Sequence, residues 1–83
     1  MEVVVTASAL EEFTRVPRPI QARVLQLVSR LDRWPAVSGA KPLSGKLAGH
    51  FRLRTGDYRV QFRLEEGHLI VERIGHRDGF YDD

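Results

Sequence analysis

The sequence predicts an α+β fold: an N-terminal strand, a two-helix hairpin, then a three-stranded antiparallel meander, with the helices packed on one face of the sheet. Three observations predict it. Val3, Val4 and Val5 are consecutive β-branched residues, which favour a pleated strand. From Leu10 to Trp34 apolar residues recur at three- and four-residue steps, interrupted by Pro17 and Pro19, as in two amphipathic helices joined by a short turn. From Phe51 to Leu64 apolar and polar residues alternate on either side of Thr55-Gly56-Asp57, the period of two that marks paired strands.

The first strand spans Glu2 to Thr6, and its unbroken valines predict cover on both faces. A helix follows at once: Ser8 with Glu11 fits the S-x-x-E capping box, and Leu10, Phe13 and Val16 form its inward stripe. Pro17-Arg18-Pro19 stops it, and Pro19 suits the first position of a second helix, where its missing N–H costs nothing. Ile20, Val24, Leu27, Val28, Leu31 and Trp34 give that helix one continuous apolar face, ended by Pro35. Residues 35–50, rich in proline and glycine, read as a loop with a helical turn near Leu43 to Leu47. A loop of about 15 residues is long for a compact domain and often functional.

In the meander, Tyr58, Val60, Phe62 and Leu64 share one face of their strand. Glu66-Gly67 turns into a last strand from His68 to Ile74 with apolar residues on both faces, so it is central to the sheet. Gly75 to Tyr81 leaves the sheet as an irregular tail.

A length of 83 residues fits a single domain over 1–83, small enough that only about 60–65% of the unfolded surface is buried. Cysteine is absent, which rules out a disulfide scaffold and thiolate metal sites. No H-x-x-x-H, H-E-x-x-H, phosphate-loop or dinucleotide pattern occurs, so no metal and no cofactor is expected. The N-terminus lacks a basic region before its short apolar run, and no segment approaches the roughly 20 apolar residues that span a bilayer. The expectation is a cytoplasmic protein with no membrane contact.

The net charge is only +2, but it is polarised: Lys41, Lys46, Arg52, Arg54, Arg59 and Arg63 face a single acid, Asp57, in that stretch. Alternation puts Arg52 and Arg54 opposite Phe51 and Leu53, and Arg59, Gln61 and Arg63 opposite the apolar set of the next strand. The result is a guanidinium row, whose planar forks match phosphate oxygens and stay charged at physiological pH. The plain alternative is a solvated sheet face. Beside the row the tail carries His76, Arg77 and Tyr81, so cations, an aromatic for base stacking and a proton-transfer group can share one groove. His50 and His76 are the imidazoles suited to proton transfer, whereas His68 follows a turn and takes no role.

Such a groove suits metal-free RNA cleavage, in which the ribose 2′-OH attacks the adjacent phosphorus. The protein must remove the hydroxyl proton, neutralise the phosphorane and protonate the departing 5′-oxygen. Arginines serve the middle task well and the first poorly, because a guanidinium almost never gives up its proton.

The segment KPLSGKLAGHFRLRTGDYRVQFRL, with the ending Ile74-Gly75-His76-Arg77 then Phe80-Tyr81, resembles the RelE branch of the RelE/ParE toxin superfamily, toxins of bacterial toxin–antitoxin modules. The resemblance implies a ribosome-dependent mRNA endonuclease that enters the A site against ribosomal RNA, cleaves by 2′-OH attack without metal, and is neutralised by a cognate antitoxin. It implies that Arg59 contacts the scissile phosphate, that Arg77 stabilises the transition state and protonates the leaving group, and that Tyr81 stacks on the substrate base. Arg52 and Arg54 stand where the best-known RelE-type site has lysines, one proposed as the general base; with Lys46 and His50 they complete the implied RNA-binding set. His76, or else His50, then supplies the base. Two other readings are a ParE-like DNA gyrase inhibitor on the same fold and a catalytically inactive nucleic-acid- or antitoxin-binding module.

Overall fold

The computed structural model describes residues 1–80. Strand β1 (Glu2–Val5) leads into helix α1 (Ala7–Thr14), and α2 (Arg18–Arg30) runs on into a 3₁₀ turn at Leu31–Arg33. Strand β2 (Lys41–Pro42) and a second 3₁₀ turn (Gly45–Leu47) precede β3 (His50–Thr55), β4 (Tyr58–Glu65) and β5 (His68–His76). A last 3₁₀ turn covers Arg77–Gly79. The five strands form one sheet in the order β1-β5-β4-β3-β2. The expected meander is its centre, with β1 added parallel to β5 and β2 added antiparallel to β3.

The helices cover one face. Val24, Leu27 and Leu31 of the α2 stripe are buried against Leu53, Val60, Phe62, Leu69, Val71 and Ile74 of the sheet. Trp34 closes this core edge-on, 4.8 Å from Phe51 and 5.3 Å from Phe62 between ring centroids. The hairpin turns follow their residues. Gly56, at φ 58° ahead of Asp57, makes a II′-type turn, while Glu66 and Gly67, at φ 49° and 81°, make a I′-type turn.

Several expectations are corrected. The cap of α1 is Thr6, whose Oγ1 accepts from the Ala9 N–H at 3.1 Å; Ser8 already lies inside the helix. The inward stripe is therefore Ala9, Phe13 and Val16, and Leu10 is 56% exposed. A fully buried alanine lets the helix backbone sit close to the sheet, which Leu10 would prevent. Strand β1 is an edge, not a strand covered on both faces: Val3 packs on the core while Val4 and Val5 stay exposed. Leu64 is exposed too, near the end of β4. Helix α2 begins at Arg18, one residue before Pro19.

The segment read as loop contains β2, in which Lys41 pairs with Arg52 and Pro42 with Phe51. Proline is tolerated there because the outer side of an edge strand needs no donor. Strand β5 is central, as expected, and its mixed alternation has a specific cause. Phe62 pairs with Val71 but Gln61 pairs with Arg73, so Glu72 is an extra residue, a β-bulge. The bulge resets the phase and returns Ile74 to the core beside Leu69 and Val71.

Candidate nucleic-acid interface

Because Leu53, Val60 and Phe62 point into the helical core, period-two geometry sends Arg52, Arg54, Arg59, Gln61 and Arg63 to the outer face of the sheet. Arg54 and Arg59 are direct cross-strand partners. Like charges so placed destabilise a sheet, and a counter-ion or an anionic ligand relieves them. Arg59 Nη1 donates to the Gly56 carbonyl at 3.2 Å. The backbone N–H of Arg77 donates to the Asp57 carbonyl, the next residue of the same turn, at 2.7 Å. The Arg77 side chain is 58% exposed, with Nε 3.9 Å from the carboxylates of both Asp57 and Asp78. The β3–β4 turn thus gathers Arg54, Arg59 and Arg77 at one end of the sheet.

The centre of the outer face is not an open guanidinium row. Arg52 is only 8% exposed and Gln61 4%. Arg52 Nη2 donates to Gln61 Oε1 at 3.0 Å, and Gln61 Nε2 donates to Glu72 Oε2 at 2.8 Å. The same Glu72 oxygen lies 2.5 Å from His50 Nδ1, and its other oxygen accepts from Arg63 Nη1 at 2.9 Å. Burial pushes the Glu72 carboxyl up, but the hydrogen bonds from Gln61, His50 and Arg63 outweigh it and hold the group below the ordinary carboxylate value. Bonds to Glu65 and Glu72 in turn raise the Arg63 guanidinium still further above neutrality.

Phe80 covers this centre. Its ring, 3% exposed, sits 4.2 Å from the Arg73 guanidinium carbon and 5.2 Å from that of Arg52. Arg73 Nη2 also donates to the Gly79 carbonyl at 2.9 Å and lies 3.6 Å from Glu12 of α1. The tail thus brings Phe80 onto the arginine face. Tyr81 lies outside the described residues.

The histidines separate. His50 heads β3, four residues from Arg54, or about 13 Å along a strand. His76 ends β5, on the side of the core, with its ring 5.2 Å from the Tyr58 ring. Its Nδ1 accepts from the Asp78 N–H at 3.1 Å and lies 3.3 Å from the Asp78 carboxylate. Either tautomer is therefore accommodated at Nδ1, and Nε2 takes no part in these contacts. A cleft of about 260 Å³ opens beside it, between Glu12 of α1, Arg15 just beyond that helix, and Tyr58 of β4. His68 pairs with Glu2 at 2.7 Å on the edge. Lys46 is exposed in the 3₁₀ turn before β3. No three His, Cys, Asp or Glu side chains among the described residues converge as metal ligands.

Sequence reading missed Glu72, Gln61 and Phe80. The signal for Glu72 was there: a lone acid between Val71 and Ile74 in a strand where alternation fails.

Residues 3–79 match the model of the ParE toxin of the type II toxin–antitoxin system parDE. The chain is 34% identical over 79 residues to toxin RelG of Mycobacterium tuberculosis, covering 92% of this chain and 90% of that protein. It is 38% identical over 73 residues to toxin RelE of the same organism, covering 87% and 74%. Its fold superposes with a TM-score of 0.78 on a chain of the crystal structure of the toxin–antitoxin complex RelBE2 from Mycobacterium tuberculosis, at 32% identity over 92% of this chain and 96% of that one.

Proposed function

Because this chain belongs to the RelE/ParE family of type II toxin–antitoxin toxins, we propose that it is a metal-independent, ribosome-dependent mRNA endonuclease. The observation that carries this reading is the gathering of Arg54, Arg59 and Arg77 around one turn. Three permanent cations there match the extra negative charge of a phosphorane.

In this mechanism the 2′-oxygen forms a bond to phosphorus as its proton passes to a base, and the bond from phosphorus to the 5′-oxygen breaks as that oxygen gains a proton. A 2′,3′-cyclic phosphate and a free 5′-hydroxyl result. Arg54, Arg59 and Arg77 hold the phosphate and its developing charge. His76, one residue from Arg77 and with Nε2 taking no part in the Asp78 contacts, exchanges the proton. His50 is about 13 Å along β3 from Arg54, more than one phosphate spacing, and serves the RNA strand rather than the reaction. Lys46 and Tyr81 complete the RNA contacts. The protein acts in the cytoplasm on A-site mRNA and ribosomal RNA. A cognate antitoxin restrains it, a reading supported by its structural relative, which is a chain of a toxin–antitoxin complex.

The test is to add purified protein to ribosomes stalled on a defined mRNA and map the cut ends, beside Arg77→Ala. Cleavage by wild type and its loss in the variant are expected; no ribosome-dependent cleavage would reject the reading. The ParE description of the matching family favours a second arm, supercoiling by DNA gyrase. Inhibition there without mRNA cleavage replaces the first reading with gyrase poisoning.

A further inference from the structure

Arg52 stands at a position that the resemblance assigns to RNA contact, yet its side chain is turned to another task. We infer that Arg52 and Arg73 are positioning residues: both guanidinium groups pack on the ring of Phe80, a clasp that fixes the turn presenting Arg77.

The clasp is continuous from β4 to the tail. Gln61 Oε1 accepts from Arg52 Nη2, and Gln61 Nε2 donates to Glu72, so one edge of the Arg52 fork is held in the sheet. The Arg52 Cζ lies over the Phe80 ring, 5.2 Å from its centroid. Arg73 meets the same ring at 4.2 Å and binds the carbonyl of Gly79, the residue before it. The Phe80 N–H then closes the turn on the Arg77 carbonyl at 3.0 Å, and the Arg77 N–H is pinned to Asp57 at 2.7 Å. Arg77 itself is exposed and, among the described residues, has only long ion pairs, so its backbone needs an anchor on each side. Asp57 is one and the Phe80 clasp is the other. With 8% of its surface exposed, Arg52 would have to abandon this packing to reach a phosphate.

The inference rests on the endonuclease reading for its consequence but not for its geometry, and the experiment separates the two. Amide hydrogen exchange at Arg77, salt-dependent binding of a single-stranded RNA oligonucleotide, and single-turnover cleavage are measured for wild type, Arg52→Gln, Arg73→Gln, Phe80→Leu and Arg54→Gln. Loss of the clasp should speed Arg77 exchange about two- to thirtyfold, the range that one cation–π contact allows. It should slow cleavage about 10- to 100-fold through misplacement. The slope of log K against log salt should stay at the wild-type value in Arg52→Gln and fall by about 0.7 in Arg54→Gln, which removes one phosphate contact. A slope lowered by about 0.7 in Arg52→Gln, or an unchanged Arg77 exchange rate in that variant, overturns the inference. Should Arg52→Gln fail to fold, Arg73→Gln and Phe80→Leu decide, and unchanged Arg77 exchange in both overturns it. If wild type neither binds nor cuts RNA while the exchange rates respond as stated, the clasp stands and the endonuclease reading falls.

Discussion

Arg54 and Arg59 face each other directly across β3 and β4 on the outer face of the sheet. Paired like charges cost stability, and a bound anion would offset that cost. Arg54→Gln should therefore raise stability by about 0.2–0.5 kcal/mol, roughly 1–4 °C in Tm for a domain of this size. The same variant should bind RNA more weakly. A melting curve beside an RNA-binding isotherm checks both, and a drop in Tm would show that Arg54 is held by favourable contacts instead.

Arg77→Ala should abolish mRNA cleavage and leave the fold intact, since the side chain is exposed and its nearest carboxylates among the described residues are 3.9 Å away. Loss of one transition-state donor typically costs about 10²- to 10³-fold in rate. Single-turnover cleavage with a folded variant, verified by circular dichroism, measures it. Wild-type rates would remove Arg77 from the site.

Glu72 predicts acid lability. Its carboxyl is held below the ordinary value of 4.5 in the folded state, so the unfolded chain binds the proton more readily. The stabilisation is complete above about pH 4.5 and is lost as pH falls through the folded-state value. Glu72→Gln should flatten that part of the stability curve. Glu72→Ala strands donors from Gln61 and Arg63 and should cost about 1–3 kcal/mol at neutral pH. Denaturant midpoints between pH 3 and 7 decide, and parallel curves for wild type and Glu72→Gln would count against the role.

What was legible in the sequence was whatever repeats. The α2 stripe and the β3–β4 alternation recur often enough for period to betray them, and so did the arginine-bearing face. What escaped was set by single contacts. Strand β2 is two residues long and contains Pro42, too short for a period to exist. The α1 face depends on Thr6 taking the cap, which brings Ala9 rather than Leu10 inward. The guanidinium row is interrupted because the bulge at Glu72 turns an acid toward Gln61, His50 and Arg63, and because Phe80 returns from a tail with no periodicity. Alternation tells which face a side chain takes; it does not tell what covers that face.

The last prediction concerns the proton. Arginines do not serve as bases, and His50 is committed to Glu72 at a distance from Arg54 that no single phosphate spans. His76 is left as the imidazole beside Arg77. Its Nδ1 also accepts the Asp78 N–H, however, so removing it could loosen the turn as well as the chemistry. His76→Asn separates the two, because asparagine offers an oxygen to the same N–H and cannot titrate. If His76 transfers the proton, His76→Asn and His76→Ala both slow single-turnover cleavage by about 10²-fold or more and both lose the acid limb of the pH–rate profile. If His76 only caps the turn, His76→Asn keeps wild-type rates and His76→Ala alone is slow. His50→Ala should keep the limb in either case. Retention of the limb in His76→Asn would move the proton transfer to ribosomal RNA or solvent and leave the arginines with positioning and charge.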